Sequence, residues 1–231
     1  MIGFFRQRGI SLALVVFVML LDAIVQFFIS YTFAFGELQH PLGLDLSALA
    51  TAGHYVRMGL MAWMAVLWML NRKRTLFRLV IFVNAAATLV LILHVTFLCS
   101  VLAGLNARIA AEMLADVVLM AVSNMLIFSV WYWVIDPPGV EGGMREEKRW
   151  AFLFPQRAGP LPNFEDWAPR YLDYLFIAFT TSFAFSPTDA LPLTRTAKML
   201  MLLQAAVSVI TLTGVAGSAI NILAGTSAGS P

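Results

Sequence analysis

The chain has 231 residues, 60% of them hydrophobic and 12% charged, and its mean hydropathy is +0.82. A soluble domain carries about twice that share of charge, so an aqueous globular fold is excluded. A net charge of +2, without a basic patch interleaved with aromatics, argues against nucleic acid as a partner. The single cysteine, Cys99, rules out an intrachain disulfide and a multi-cysteine metal site. It lies in an apolar run and reads as a small buried hydrophobe.

Apolar stretches long enough to span a bilayer recur along the chain. In lipid every backbone N–H and C=O must find its partner within its own segment, which selects helices. The long runs and weak alternation argue against a barrel. The expected fold is therefore all-α, a polytopic helical membrane protein with about six transmembrane segments. The basic start and long apolar run at the N-terminus read as an uncleaved first span.

Segment one covers Ile10 to Phe35 and ends at Gly36. The loop Glu37 to Leu49 contains a turn marked by Pro41 and Gly43. Segment two covers Ala50 to Leu70 and is closed by Asn71-Arg72-Lys73-Arg74. Segment three covers Leu76 to Leu102, and the short connection Asn106 to Glu112 makes segments three and four antiparallel neighbours. Segment four covers Met113 to Ile135, where Asp136-Pro137-Pro138-Gly139 stops it, since two prolines cannot continue the helical ladder. Residues 1–135 thus read as a four-helix transmembrane region.

Residues 136–170 read as a polar cytoplasmic loop, broken by glycines and prolines, with a short amphipathic helix near Glu146 to Phe152. Segment five, Tyr171 to Phe185, has about fifteen residues, a length between a re-entrant helix and a full span. Segment six covers Thr194 to Leu223, and the small polar tail after it is expected to fray. Residues 171–231 form the third unit: short aromatic segment, Ser-Pro-Thr-Asp turn and long C-terminal helix.

Lys and Arg set the orientation. With the N-terminus inside and six spans, eleven basic residues fall in cytoplasmic segments and three (Arg108, Arg195, Lys198) outside, with Arg57 within segment two. Both termini are then cytoplasmic. Trp167 and Trp131-Tyr132-Trp133 fall at the cytoplasmic boundary, where amphipathic rings prefer to sit.

Asp22 lies near the middle of segment one, with Gln26 one turn on along the same face. A mid-bilayer carboxylate is costly unless protonated, paired or wetted. Its functional reading is a proton or cation site. Its structural reading is a neutral acid hydrogen-bonded to a neighbouring helix. Arg57, with His54 one turn before it, either snorkels or pairs with Asp116 at the outer end of segment four. His94 is a lone histidine on an apolar face and reads first as a core residue. Asn84, Ser123, Asn124, Gln204, Ser208 and Asn221 read as interhelical hydrogen-bonding groups. Small residues in segment six, Gly214 and Gly217 among them, permit close helix packing. The histidines form no metal spacing, no cofactor motif occurs, and no catalytic constellation stands out; the expectation is a protein that is not an enzyme.

From Tyr171 onward the chain resembles the pore unit of tetrameric, potassium-type cation channels: a short aromatic helix, Phe179-Thr180-Thr181, a polar turn, then Asp189-Ala190-Leu191-Pro192-Leu193-Thr194 opening a long helix. The glycine filter of those channels is replaced by Ser182 to Thr188. The segment also resembles a set of uncharacterised bacterial integral membrane proteins with a Phe-Ser-Pro-Thr-Asp turn, here Phe185 to Asp189. The channel resemblance implies an ion-channel-like pore for monovalent cations, tetrameric if a pore, and the second resemblance implies a bacterial inner-membrane protein and no particular activity. Thr180, Thr181, Ser182, Ser186, Thr188 and Asp189 would then surround the axis. Two other readings stand beside it. One is a non-conducting membrane scaffold in which Asp189 or Thr194 caps segment six. The other is a proton-coupled transporter centred on Asp22.

Overall fold

The computed structural model describes residues 10–35, 47–102, 107–136, 150–159, 162, 167–184 and 190–227. Helix α1 is Ile10–Phe35, α2 Ser47–Met69, α3 Lys73–Leu102, α4 Ala107–Ile135, α5 Tyr171–Ala184 and α6 Arg195–Ser227. Two short strands, β1 (Phe152–Leu153) and β2 (Leu191–Pro192), flank α5, and one 3-10 turn covers Pro155–Arg157. Within these helices, Ser11–Ile29, Lys73–Cys99, Ala115–Ile135 and Arg195–Gly214 are long and apolar enough to cross a membrane. The protein is an all-α membrane protein. Its outer surface agrees with that solvent: Phe17, Phe82 and Met199 are 60%, 65% and 65% exposed. The expected turn at Pro41 and Gly43 and the Ser-Pro-Thr-Asp turn lie outside the described residues.

Helices α2 and α3 are joined by a tight turn at Asn71. Its φ of 57° is left-handed, a conformation that asparagine tolerates better than other side-chain-bearing residues. The Arg72 N–H donates to Leu67 O at 3.0 Å and the Asn71 N–H to Trp68 O at 3.1 Å. That pair of bonds closes the last carbonyls of α2 in a Schellman motif. Lys73 then starts α3 at once, so the two helices run antiparallel.

Helix α4 is the centre of the bundle and packs against α1, α3, α5 and α6. From Leu126 to Val134 its side chains are buried almost all round, including Phe128, Tyr132 and Trp133. A helix apolar on every face suits this central position. Lipid tails are as apolar as leucine, so packing and interhelical hydrogen bonds hold the helices together. Trp131 Nε1 donates to Thr88 Oγ1 at 2.9 Å, and the Phe77 and Trp133 rings meet edge-on at 6.0 Å. A Cβ on Gly214 would meet Leu98 Cδ2 at 3.4 Å and Val117 at 3.8 Å, about ordinary contact, so α6 packs on α3 and α4 there with room for a methyl and little more.

Three expectations change. Helix α4 begins at Ala107, so most of the supposed connection 106–112 is its first turns. Trp150 to Phe152 are not helical: Ala151 is a bend and Phe152 opens β1. The reason is local. Pro155 disfavours helix at the residue before it, and Phe154 is extended (φ −82°, ψ 148°). The Ala151 N–H and C=O are both engaged outside any helix, with Asp136 Oδ1 at 2.8 Å and the Leu193 N–H at 2.8 Å. Residues 146–149 lie outside the described set. Cys99 is exposed, not buried, on the outward side of α3.

Strands β1 and β2 pair antiparallel, Phe152 opposite Pro192 and Leu153 opposite Leu191. This ladder ties the segment after α4 to the segment before α6. Asp136, one residue past α4, also accepts from Tyr174 OH on α5 at 2.6 Å. The end of α4, the first turn of α5 and the approach to α6 therefore gather at one end of the bundle. Caps fix the last two helices there. The Arg170 N–H donates to Asp173 Oδ2 at 2.6 Å, and Thr194 Oγ1 accepts from the Ala197 N–H at 3.2 Å.

Candidate functional site

The polar residues of the spans assemble into two buried clusters on neighbouring faces of α4. The first joins α1, α3 and α4. Asp22 is 6% exposed, and Gln26 and Ser123 are fully buried. Ser123 Oγ donates to Asp22 Oδ1 at 2.6 Å. Gln26 Nε2 lies 3.0 Å from Asp22 Oδ2, 3.2 Å from Ser123 Oγ and 3.4 Å from Ala87 O. The helical spacing read from the sequence brings Gln26 onto Asp22; Ser123 arrives from 101 residues away. Both carboxylate oxygens thus accept a hydrogen bond, while Gln26 Oε1 has no partner among the described residues.

Two further charges surround this cluster. Arg57 on α2 lies within electrostatic reach of Asp22 and of His94 on α3. Both Arg57 and His94 are half-buried, and Asp116, about two turns before Ser123 on α4, is buried. The His54 ring packs tilted against Phe27 of α1, centroids 4.2 Å apart.

The second cluster joins α4, α5 and α6 around Gln204. Its Nε2 donates to Ala178 O at 2.7 Å and to Ser182 Oγ at 2.8 Å, and its Oε1 accepts from Tyr132 OH. Asn124 Nδ2 donates to Ser208 Oγ at 2.8 Å and to Gln204 O at 3.3 Å. Asn84 Nδ2 separately donates to Ile127 O at 3.2 Å, tying α3 to α4. Nearer the Asp136 end, Ser129 Oγ and Tyr171 OH lie 2.5 Å apart.

Of the expected pore residues, Thr180, Thr181 and Ser182 are described. Thr180 returns its hydroxyl to its own helix, at Phe176 O and Ile177 O. Thr181 and Ser182 are buried, with Ser182 bonded to Gln204. Ser186, Thr188 and Asp189 lie outside the described residues. The side of α5 turned away from the bundle carries Phe176, Phe179 and Phe183, each about half exposed.

Gln204, Ser123, Asn124 and Ser208 read in sequence only as interhelical polar groups, and their partners needed the fold. Tyr132, Asp136 and Tyr174 carry no signal of their own beyond a polar atom next to an apolar run. No group of three or more His, Cys, Asp or Glu able to hold a metal occurs among the described residues.

Fold and site together define a helical membrane protein with a buried polar network threaded through its central helix. Comparison with protein-family models, curated proteins and solved structures finds no match for this chain.

Proposed function

We propose that the chain is an ion-conducting protein of the bacterial inner membrane whose pore unit is residues 167–227. In this reading α5 is a re-entrant helix, cations are the permeant species, and the working form is a homo-oligomer in the bilayer. The observation that carries it is the gathering of both flanks of α5 beside Asp136. The chain enters α5 next to Asp136 and returns to the same end at β2, before α6 sets out across the bundle. Fourteen residues of helix span about 21 Å, short of the roughly 30 Å of hydrocarbon a full crossing needs. A helix that dips in and comes back, followed by a long helix, is the layout that the resemblance to channel pore units implies.

Basic residues support the same layout. If α5 does not cross, Arg195 and Lys198 join the face that holds the 136–170 loop. Thirteen of the fifteen basic residues then share that face, with Arg108 opposite and Arg57 within the membrane. This asymmetry is stronger than the eleven-to-three division of a six-span layout. By the positive-inside rule that face is cytoplasmic, and the far end of α6 lies on the opposite side from the N-terminus.

Cation flux into proteoliposomes tests the proposal. The wild-type chain should carry cations above the level of empty vesicles, and Thr181→Ala and Asp189→Ala should each lower the flux several-fold. Equal leak in empty, wild-type and variant vesicles would sink the pore and leave the scaffold reading.

A further inference from the structure

We propose that Asp22, Gln26 and Ser123 form a proton-exchange site within the four-helix region, apart from the α5–α6 unit and independent of whether that unit conducts. The present arrangement suits the carboxylate: two donors, the Ser123 hydroxyl and the Gln26 amide nitrogen, take its two oxygens. A neutral acid needs something different, an acceptor for its own O–H. Gln26 supplies one. Its Oε1 is buried and unpartnered, an expensive condition in a low-dielectric interior. The two ends of a carboxamide have nearly the same shape. Turning the amide over keeps the side-chain shape and brings Oε1 to the place of Nε2, 3.0 Å from Asp22 Oδ2, while giving up the Nε2 bond to Ala87 O and setting the N–H groups where Oε1 stood. Protonated Asp22 then donates from Oδ2 to Gln26 Oε1, while Ser123 keeps its bond to Oδ1. The proton is taken from and returned to water, and no other bond forms or breaks.

The surrounding groups favour a proton over a metal ion. The amide N–H occupies one carboxylate oxygen, and the Arg57 charge on α2 stands within reach; both disfavour a cation with its own charge and coordination shell. The other titratable groups are His94 on α3, which senses Arg57, Asp116 on α4, and Tyr171 on α5, within electrostatic reach of Asp22. Arg195 and Lys198 of α6 stand in its first turn, at the Asp136 end of the bundle.

The experiment is pH-titrated difference infrared spectroscopy of the full chain in lipid nanodiscs, read at the C=O stretch of protonated carboxyls. The wild type should show a band that appears and disappears with pH and is lost in Asp22→Asn. Ser123→Ala, which removes one donor to the charged form, should move its midpoint by about one pH unit. Asp22→Glu, which keeps the carboxyl, should retain a titrating band at a shifted frequency even if Asp22→Asn folds poorly. The proposal is overturned if the titrating band survives unchanged in Asp22→Asn and Asp22→Glu, or if no carboxyl band titrates in the wild type. A failed flux assay does not touch either outcome.

Discussion

Gln204 shows what one side chain can hold together inside a membrane. Its amide meets Tyr132 from α4 and Ala178 and Ser182 from α5, while its own backbone carbonyl accepts from Asn124. Hydrogen bonds between membrane helices are worth less than the cost of burying the groups suggests, because the unassembled helices find other partners. Gln204→Leu should therefore lower stability by about 1–2 kcal/mol rather than abolish folding. A thermal melt in detergent would show this as a lower midpoint, and an unchanged midpoint would mean the cluster contributes nothing to stability. Asn71 offers a different kind of test. Its left-handed φ should make Asn71→Val cost about 1–2 kcal/mol, while Asn71→Gly stays within a few tenths; the same melts separate the two. At this scale the sequence shows which residues are unusual but not whom they meet. Asp22 and Gln26 could be paired by helical spacing alone. The approach of Ser123, and of Gln204 to Tyr132, depends on which helix faces lie together, and a single sequence does not encode that in any local pattern.

Among the elements, the β1–β2 ladder is the smallest and fixes the most. Two residue pairs and the Leu193 N–H to Ala151 O bond join the loop after α4 to the start of α6. Asp136 anchors that ladder to the helix end. Asp136→Ala leaves the Ala151 N–H and the Tyr174 hydroxyl without their acceptor. The amides of Ala151 and Leu193 should then exchange hydrogen at least ten-fold faster, about 1.4 kcal/mol of lost protection, while the amides within α4 stay slow. Uniform slow exchange in the variant would show that the ladder does not depend on Asp136. Helix bounds were legible because long apolar runs end at Gly, Asn or Pro. The start of α4 was not, since Ala107 to Glu112 contains Arg108 and Glu112 and so resembles a connection. The strands were not legible either. Each has two residues, too few for any alternation to register.

For the whole molecule, the two layouts differ in where the segment after α5 emerges. Single cysteines at Leu153 and Leu193, introduced on a Cys99→Ser background because Cys99 is itself exposed, should be labelled by a membrane-impermeant maleimide from the same face. A cysteine at Ser227 should be labelled only from the other face. Labelling of residues 153 and 193 from opposite faces would mean α5 crosses and would restore six spans. The membrane-crossing character of the chain was legible from composition and length, and four of its helices are long and apolar enough to cross. The layout of α5 was not, because a run of about fifteen residues lies between re-entrant and spanning length, and the pairing of β1 with β2 that bears on it needed the fold.

Ser123 and Asn124 are neighbours in the chain, about 100° apart around α4. One reaches Asp22 and the other reaches Ser208 and Gln204. The angular register of a single helix is thus shared by two sets of partners on neighbouring faces of it. Point substitutions on α4 can spare one set while damaging the other. A one-residue insertion or deletion between Asn124 and Tyr132 cannot, because it rolls one part of α4 by that same roughly 100° against the rest. In a chain otherwise rich in interchangeable apolar side chains, the length of α4 between Ser123 and Tyr132 is the quantity least free to drift.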